Sequence, residues 1–312
     1  MENSIKVVSI VGPTASGKTN LSVELAKHFN GEIVSADSMQ IYSGMQIATA
    51  KPTKAEMDGV PHHMMGFLPP DKTYSVASYV NDASKCIADI HSRGMLPFIV
   101  GGTGLYVDSL LNNISFSDDK RDEEYCSRLR KIGEEEGADK LLDMLSKFDP
   151  ESAERLRDGK NIKRIIRAIE FYKTTGKTIT EQIKESHNVP SPYSAVKIGL
   201  NCRDRQVLYD RINRRVDIML EEGLLEETQR VINSELSYTS VKAIGYKELI
   251  PYFKENKNLN DCVEKLKMET RRYAKRQITW FKRDTEINWI YIDEYNSFEE
   301  IYSQAKAIIE RG

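Results

Sequence analysis

A chain of 312 residues has room for about two domains and a sizeable core, and 40% hydrophobic with 29% charged residues is the composition of an ordinary globular protein. A formal net charge of −2 excludes a global positive field, so a nucleic-acid partner would have to be held by a local patch. Cys86, Cys126, Cys202 and Cys262 form no C-x-x-C pair, which argues against a zinc ribbon or disulfide framework; with no leader and no apolar run near the roughly 20 residues of a membrane span, the expectation is a cytoplasmic protein off the membrane.

The run IKVVSIV, residues 5–11, is β-branched and of strand length. GPTASGKT, residues 12–19, follows it and matches G-x-x-x-x-G-K-[ST] in full, with a strand before and a helical pattern after, the context the motif requires. Glycines let backbone N–H groups close around phosphate oxygens, and the helix N-terminus adds a positive partial charge. Lys18 then suits the terminal phosphates, and the Thr19 hydroxyl suits Mg²⁺. The helix KTNLSVELAKH places Leu21, Leu25 and His28 on one face.

GEIVSAD is a second strand ending on Asp37, which can serve as a metal's carboxylate, a general base or a turn cap. PHH, residues 61–63, reads as loop histidines, because adjacent side chains point apart and no third ligand accompanies them. YSVASYVNDASKCIADIHSRG reads as a helix stopped by Gly94, and LPFIVGG as a third strand. It runs into GGTGLY, residues 101–106, which is either a second ligand-approaching turn, with Thr103 donating a hydroxyl hydrogen bond, or a plain connector. No carboxylate closes that strand, so the usual holder of a nucleotide's Mg²⁺ is missing there. The alternation of strands and helices predicts an α/β fold with a parallel sheet.

From Ser117 to about Lys184 the pattern turns polar and helical without a convincing strand, its clearest helix being NIKRIIRAIEFYKTTG with a C-terminal glycine. SPYSAVKIGLNC supplies a strand again; two long helical patterns follow, RDRQVLYDRINRRVDIMLEEG and CVEKLKMETRRYAKRQITWFKR, then a late strand, INWIYID. The expected organisation is a core of residues 1–113 and 195–312 interrupted by a helical insertion, 114–194. Three basic groups stand out. Arg164 and Arg167 lie at i and i+3, and Arg211 and Arg215 at i and i+4, so each pair shares a helix face that either clamps an anion or is merely solvated. RRYAKRQITWFKR, residues 271–283, carries no acid and interleaves Tyr273, Trp280 and Phe281. It is either an RNA-binding helix, basic heads on phosphates and aromatics on bases, or a basic amphipathic helix with its aromatics in the core. On chemistry alone the chain is a phosphate-binding α/β enzyme that touches nucleic acid, or an ATP-dependent small-molecule kinase.

GPTASGKT, SADSMQIY, PHH with YSVASYV, IVGGTGLY, KRIIRAIE, RI-x-x-RVD-x-M-x-x-x-GL, KAIGYKE and AKRQITWFKR, in that order, closely resemble the tRNA dimethylallyltransferase family. Eukaryotic relatives carry a C-terminal zinc finger for which this chain lacks the cysteines, so it resembles the compact bacterial form. The resemblance implies a P-loop NTPase-like core with a helical insertion that clasps the anticodon stem-loop. It implies transfer of a dimethylallyl group from dimethylallyl diphosphate to the adenosine 3′ of the anticodon, by a monomer using Mg²⁺. Gly12, Pro13, Thr14, Ala15, Ser16, Gly17, Lys18 and Thr19 would grip the diphosphate, assisted by Arg211 and Arg215, with the metal at Thr19. Asp37, Thr19 and Arg215 would be the catalytic group. For tRNA the matching positions are Asp37, Ser38, Met39, Gln40 and Thr103; Arg164 and Arg167; Lys242, Gly245 and Lys247; and Lys275, Arg276, Gln277, Trp280 and Arg283. Lys163 departs from relatives that carry Gln at that position.

Overall fold

The β-branched run Ile5–Val11 forms β1, a central strand buried on both faces, as parallel strands packed between helices are. The computed structural model describes residues 4–114, 122–234, 240 and 243–312, without the side chains of 186–188. Around β1 lie β2 (Gly31–Ser35), β3 (His62–His63), β4 (Leu96–Gly101), β5 (Tyr193–Asn201) and β6 (Asn288–Tyr291), in the order β3-β2-β4-β1-β5-β6. Every pairing is parallel, from Val8 opposite Phe98 on one side of β1 to Ile5 opposite Tyr193 on the other. The expected α/β fold with a parallel sheet is therefore the observed one.

Alternation along β1 splits the core into two layers. Val7 and Val11 face α3 (Val76–Ser92) and α4 (Gly104–Leu111), packing with Ile87, Ile99 and Leu110. Val8 and Ile10 face α1 (Lys18–His28) and α14 (Phe298–Arg311), packing with Leu21, Leu25 and Ile308. The sheet belongs to a unit made of Met1–Leu111 and Pro192–Gly312. That unit also holds α2 (Lys54–Met57), α10 (Arg205–Glu221), α11 (Leu224–Ile232), α12 (Tyr246–Glu255) and α13 (Leu259–Phe281). The second unit, Asn112–Ser191, consists of α5 (Glu123–Glu135), α6 (Gly137–Ser146), α7 (Pro150–Arg157), α8 (Ile162–Thr175) and α9 (Ile179–Asn188) around a core that includes Leu129, Leu142 and Ile165. In α8 the ends are set by Asn161, whose side chain accepts the Arg164 N–H, and by left-handed Gly176. Among the described residues no helix is long and apolar enough to cross a membrane, and all four cysteines are free.

Two local expectations are corrected. His28 is exposed, its ring edge-on to Phe29 and Tyr302, and Phe29 takes the place against the core that the periodicity assigns to it. His62 and His63 are an edge strand on β2 instead of a loop. Nδ1 of His62 pairs with the Val60 carbonyl at 2.8 Å, and Nε2 of His63 with Glu32 at 2.7 Å. Both rings are thereby committed within the fold.

Glu32 is 4% exposed and accepts Arg93 through two nitrogens at 2.5 and 2.8 Å, tying β2 to the end of α3. The Arg93 guanidinium, with help from His63, holds its carboxyl down at about 2. A depressed carboxylate stabilises the fold above its unfolded pKa, near 4.3, and that contribution disappears as pH falls towards about 2. Arg93 is itself 40% exposed, so solvent screening limits what Arg93→Ala costs at pH 7, but the loss should be measurable because Glu32 is left buried with fewer partners. The difference from wild type in urea unfolding should narrow between pH 4.5 and 2; a gap constant with pH would show that this ion pair is not its source.

Candidate active site

The loop after β1 is shaped by backbone conformation before any side chain acts. Gly12 has φ 146°, and a Cβ there would collide with the Leu200 carbonyl of β5. Ala15 and Gly17 are left-handed at φ 62° and 89°, and Gly17 caps α1 without any side-chain hydrogen bond. The first N–H groups of α1 are therefore free of a side-chain cap and face outward with the helix dipole, as an anion requires. Lys18 folds back to donate to the Pro13 carbonyl at 2.6 Å, and the buried Ser16 hydroxyl has no partner.

Two helices brace this loop. From α13, Gln277 accepts the Thr14 N–H at 2.9 Å and donates to the Gly102 carbonyl at 3.0 Å. A Cβ on Gly102 would strike Gln277, and one on Gly104 would strike Trp280. At those two positions the close approach permitted by GGTGLY is that of α13. From α10, the Arg211 Nε donates to the Ala15 carbonyl at 2.8 Å, while Arg215 reaches the Thr14 hydroxyl at 3.5 Å and the Ala50 carbonyl at 3.4 Å. The i, i+4 pair thus turns towards the loop.

Asp37 follows β2. Its Oδ1 accepts the N–H groups of Met39 at 2.9 Å and Gln40 at 3.3 Å, so it caps its own turn. Thr103 fixes that turn against the next strand: its hydroxyl oxygen accepts the Ser38 N–H at 3.0 Å. Burial pushes the Asp37 carboxyl up, opposed by these N–H donors and by Lys18 and Arg215. Burial, reinforced by Arg215, brings the Lys18 ammonium down to about 7; burial also lowers the Arg215 guanidinium.

Thr14, Lys18, Asp37, Arg215 and Gln277 border one cavity of about 330 Å³, which Arg211 and Thr103 do not line. Its lining combines Thr14, Lys18, Thr19, Asp37 and Arg215 with apolar Met65, Val216, Met219, Leu224, Ile244 and Leu266. Ser38, Met39, Gln40, Gly245, Lys247, Arg276 and Gln277 also line it. Lys275, Trp280 and Arg283 do not. Lys275 is exposed on α13, and the Trp280 indole donates to Asp108 at 2.6 Å with Arg283 above its ring. Phe281 is 2% exposed and belongs to the core, so that aromatic is no stacking platform. Arg164 and Arg167 are exposed on α8 in the second unit, Arg167 bonded to buried Glu170 at 2.6 Å. Lys242 lies outside the described residues. Tyr273, read from sequence only as one of the interleaved aromatics, also lines the cavity, and its position four before Gln277 on the same helix face was the available signal. Among the described residues no group of three or more His, Cys, Asp or Glu could hold a metal. A magnesium ion at Thr19 would need its remaining ligands from diphosphate and water, which is its usual habit, so the residues fit it.

The IPP transferase family model matches residues 40–284, and that for isopentenyl transferase matches residues 5–65. The tRNA dimethylallyltransferase of Caldanaerobacter subterraneus subsp. tengcongensis is 47% identical, covering 96% of this chain and 95% of its own. The chain belongs to the tRNA dimethylallyltransferase family. Membership makes it a prenyltransferase. Among solved structures, the tRNA isopentenylpyrophosphate transferase of Staphylococcus epidermidis is 44% identical with TM-score 0.72, covering 99% of this chain and 100% of that one. A eukaryotic dimethylallyltransferase solved while acting on tRNA is 29% identical with TM-score 0.80, covering 99% of this chain and 80% of its own.

In this family member Gln277→Ala would leave the Thr14 N–H and the Gly102 carbonyl unpaired, at a cost of about 1–3 kcal/mol. The urea midpoint should fall at unchanged slope; an unmoved midpoint would show that the bridge carries no weight.

Proposed function

We propose that the protein transfers a dimethylallyl group from dimethylallyl diphosphate to the N6 amine of the adenosine 3′-adjacent to the anticodon, in tRNAs reading codons that begin with U. The products are N6-dimethylallyladenosine and diphosphate. The observation that carries this is the cavity itself, where Lys18 of the phosphate loop, Arg215 and Asp37 share one lining with apolar Met65, Val216, Met219 and Leu224.

The amine attacks the allylic carbon as its bond to the diphosphate oxygen breaks. Negative charge grows on the leaving diphosphate, where the α1 N-terminus, Lys18 and Arg215 stabilise it in a partly desolvated setting, with Arg211 holding the loop's outer edge. Pro13, Thr14, Ala15 and Ser16 shape that cradle between Gly12 and Gly17. Mg²⁺ held by Thr19 supplies further charge neutralisation when bound. Asp37 accepts the amine's proton through the oxygen that the turn N–H groups leave unused.

The target base is flipped from its stack into the cavity, past Ser38, Met39, Gln40, Thr103, Gly245 and Lys247. Lys275 and Arg276 on α13 and Arg283 in the turn after it carry backbone phosphates, while Gln277 and Trp280 act on the RNA indirectly by fixing that helix. Lys242, Arg164 and Arg167 complete the tRNA contacts, the helical unit clasping the anticodon stem-loop. The protein works as a cytoplasmic monomer.

The test is incorporation of labelled dimethylallyl into an anticodon stem-loop carrying the target adenosine, with and without ATP. Asp37→Ala should lower kcat by about 10²–10⁴-fold; ATP consumption without transfer would favour the kinase reading instead. Because burial raises the Asp37 carboxyl, the acidic limb of the wild-type rate should lie above the ordinary carboxylate range. Lys18 makes a second pH prediction. Above its free value of about 7 it is mostly neutral, and an arriving anion favours its charged form. Diphosphate binding should therefore take up protons above pH 7, seen as buffer-dependent calorimetric heats, and weaken as pH rises; binding without proton uptake would refute it.

A further inference from the structure

Glu227, on the first turns of α11, is 2% exposed and lies outside the lining of the cavity. Its two oxygens accept the N–H groups of Gln46, Ile47 and Ala48, each at 2.9 Å, and Oε1 also accepts the Tyr246 hydroxyl at 2.8 Å. Three successive amides converging on one carboxylate fix the path of that loop far more tightly than loop packing alone. Ala48 is pressed at the same time onto Gly245, where no Cβ would fit.

The loop's next residues reach the reacting groups. Ala50 is held left-handed at φ 50°, a conformation that a non-glycine residue keeps only where its surroundings dictate it. Its carbonyl accepts the Gln40 side chain at 3.2 Å and Arg215 at 3.4 Å. The Gln40 backbone N–H in turn donates to Asp37. One carbonyl therefore anchors both the cation of the leaving-group side and the turn that holds the aspartate.

The geometry points to Glu227 as a positioning residue that sets Arg215 and Asp37 together, through the amides of residues 46–48 and the Ala50 carbonyl. This rests on the prenyl-transfer reading given above. Replacing Glu227 by Gln keeps size and one acceptor but turns the other oxygen into an NH₂ group, donor against donor at a backbone N–H. The loop then relaxes, and a displacement of about 1 Å at Arg215 and Asp37 is enough to cost about 10²-fold in rate.

The experiment uses the full chain. Glu227→Gln should show faster amide exchange at residues 46–48, weaker binding of inorganic diphosphate, and kcat lowered by about 10–100-fold. The acidic limb of the pH–rate profile should move up as the Gln40 N–H withdraws from Asp37, the groups facing that carboxyl (Lys18, Arg215, Tyr106 and Tyr273) being unchanged in type. Combined with Arg215→Ala, the losses should fall short of their product, because both act through one contact. Tyr246→Phe removes a single bond and should give a smaller loss in the same direction, which keeps the test open if Glu227→Gln does not fold. Unchanged exchange with kcat within twofold, or losses that multiply with Arg215→Ala, would overturn the assignment. If the wild type transfers no prenyl group, the functional reading fails separately, and amide exchange with diphosphate affinity still decides for or against Glu227.

Discussion

Gln277 presents one side-chain amide to two loops that lie more than 80 residues apart in sequence, taking the Thr14 N–H on one side and giving to the Gly102 carbonyl on the other. The bond needs α13 to lie almost on the backbone of the 101–104 turn, and the absence of side chains on Gly102 and Gly104 is what lets it. Through Thr103 that turn also holds Ser38, so the placement of Asp37 depends on the same contact. The ends of β1, β2 and β4 reach a common geometry because a helix from the far end of the chain sits across them, at the carboxyl edge where open parallel sheets bind ligands.

Charge inside this frame is arranged for a guest. Lys18 and Arg215 oppose each other in a desolvated place, and Asp37, the carboxylate that acts on both, spends one oxygen on its own turn. Both cations are less comfortable there than in water, so an arriving dianion relieves repulsion as well as gaining attraction. A loop of the same sequence on an open surface would lack that advantage.

The local part of this design was legible. A phosphate loop declares itself through glycines and a lysine at fixed spacing, and Asp37 through its place at a strand end. The pair Arg211 and Arg215 was visible as a face, but its direction was not, because that is set by the packing of α10 against residues from another part of the chain. Glu227 escaped for the same reason: its partners, at residues 46–48, are remote in sequence. β3 has only two residues, too few to show a period, and is a strand solely because β2 offers it an edge. Phe281, quoted as one of the interleaved aromatics, is core, since a helix lying across a sheet must bury one face.

The interruption of the sheet has a temporal meaning. Ile5 waits for Tyr193 as its neighbour, and Thr14 for Gln277, so during synthesis the first strand emerges long before either partner exists. The helical unit of residues 112–191 draws on contacts within its own short span and can close while β1 is still incomplete. The nascent chain therefore carries one unpaired edge of β1 through the making of more than half the protein, although α1, α3, α4 and β4 are available earlier to its faces and its other edge. An unpaired strand edge is a template for pairing with other chains, so that edge is the part of the sheet most open to misassembly before residue 193 is made.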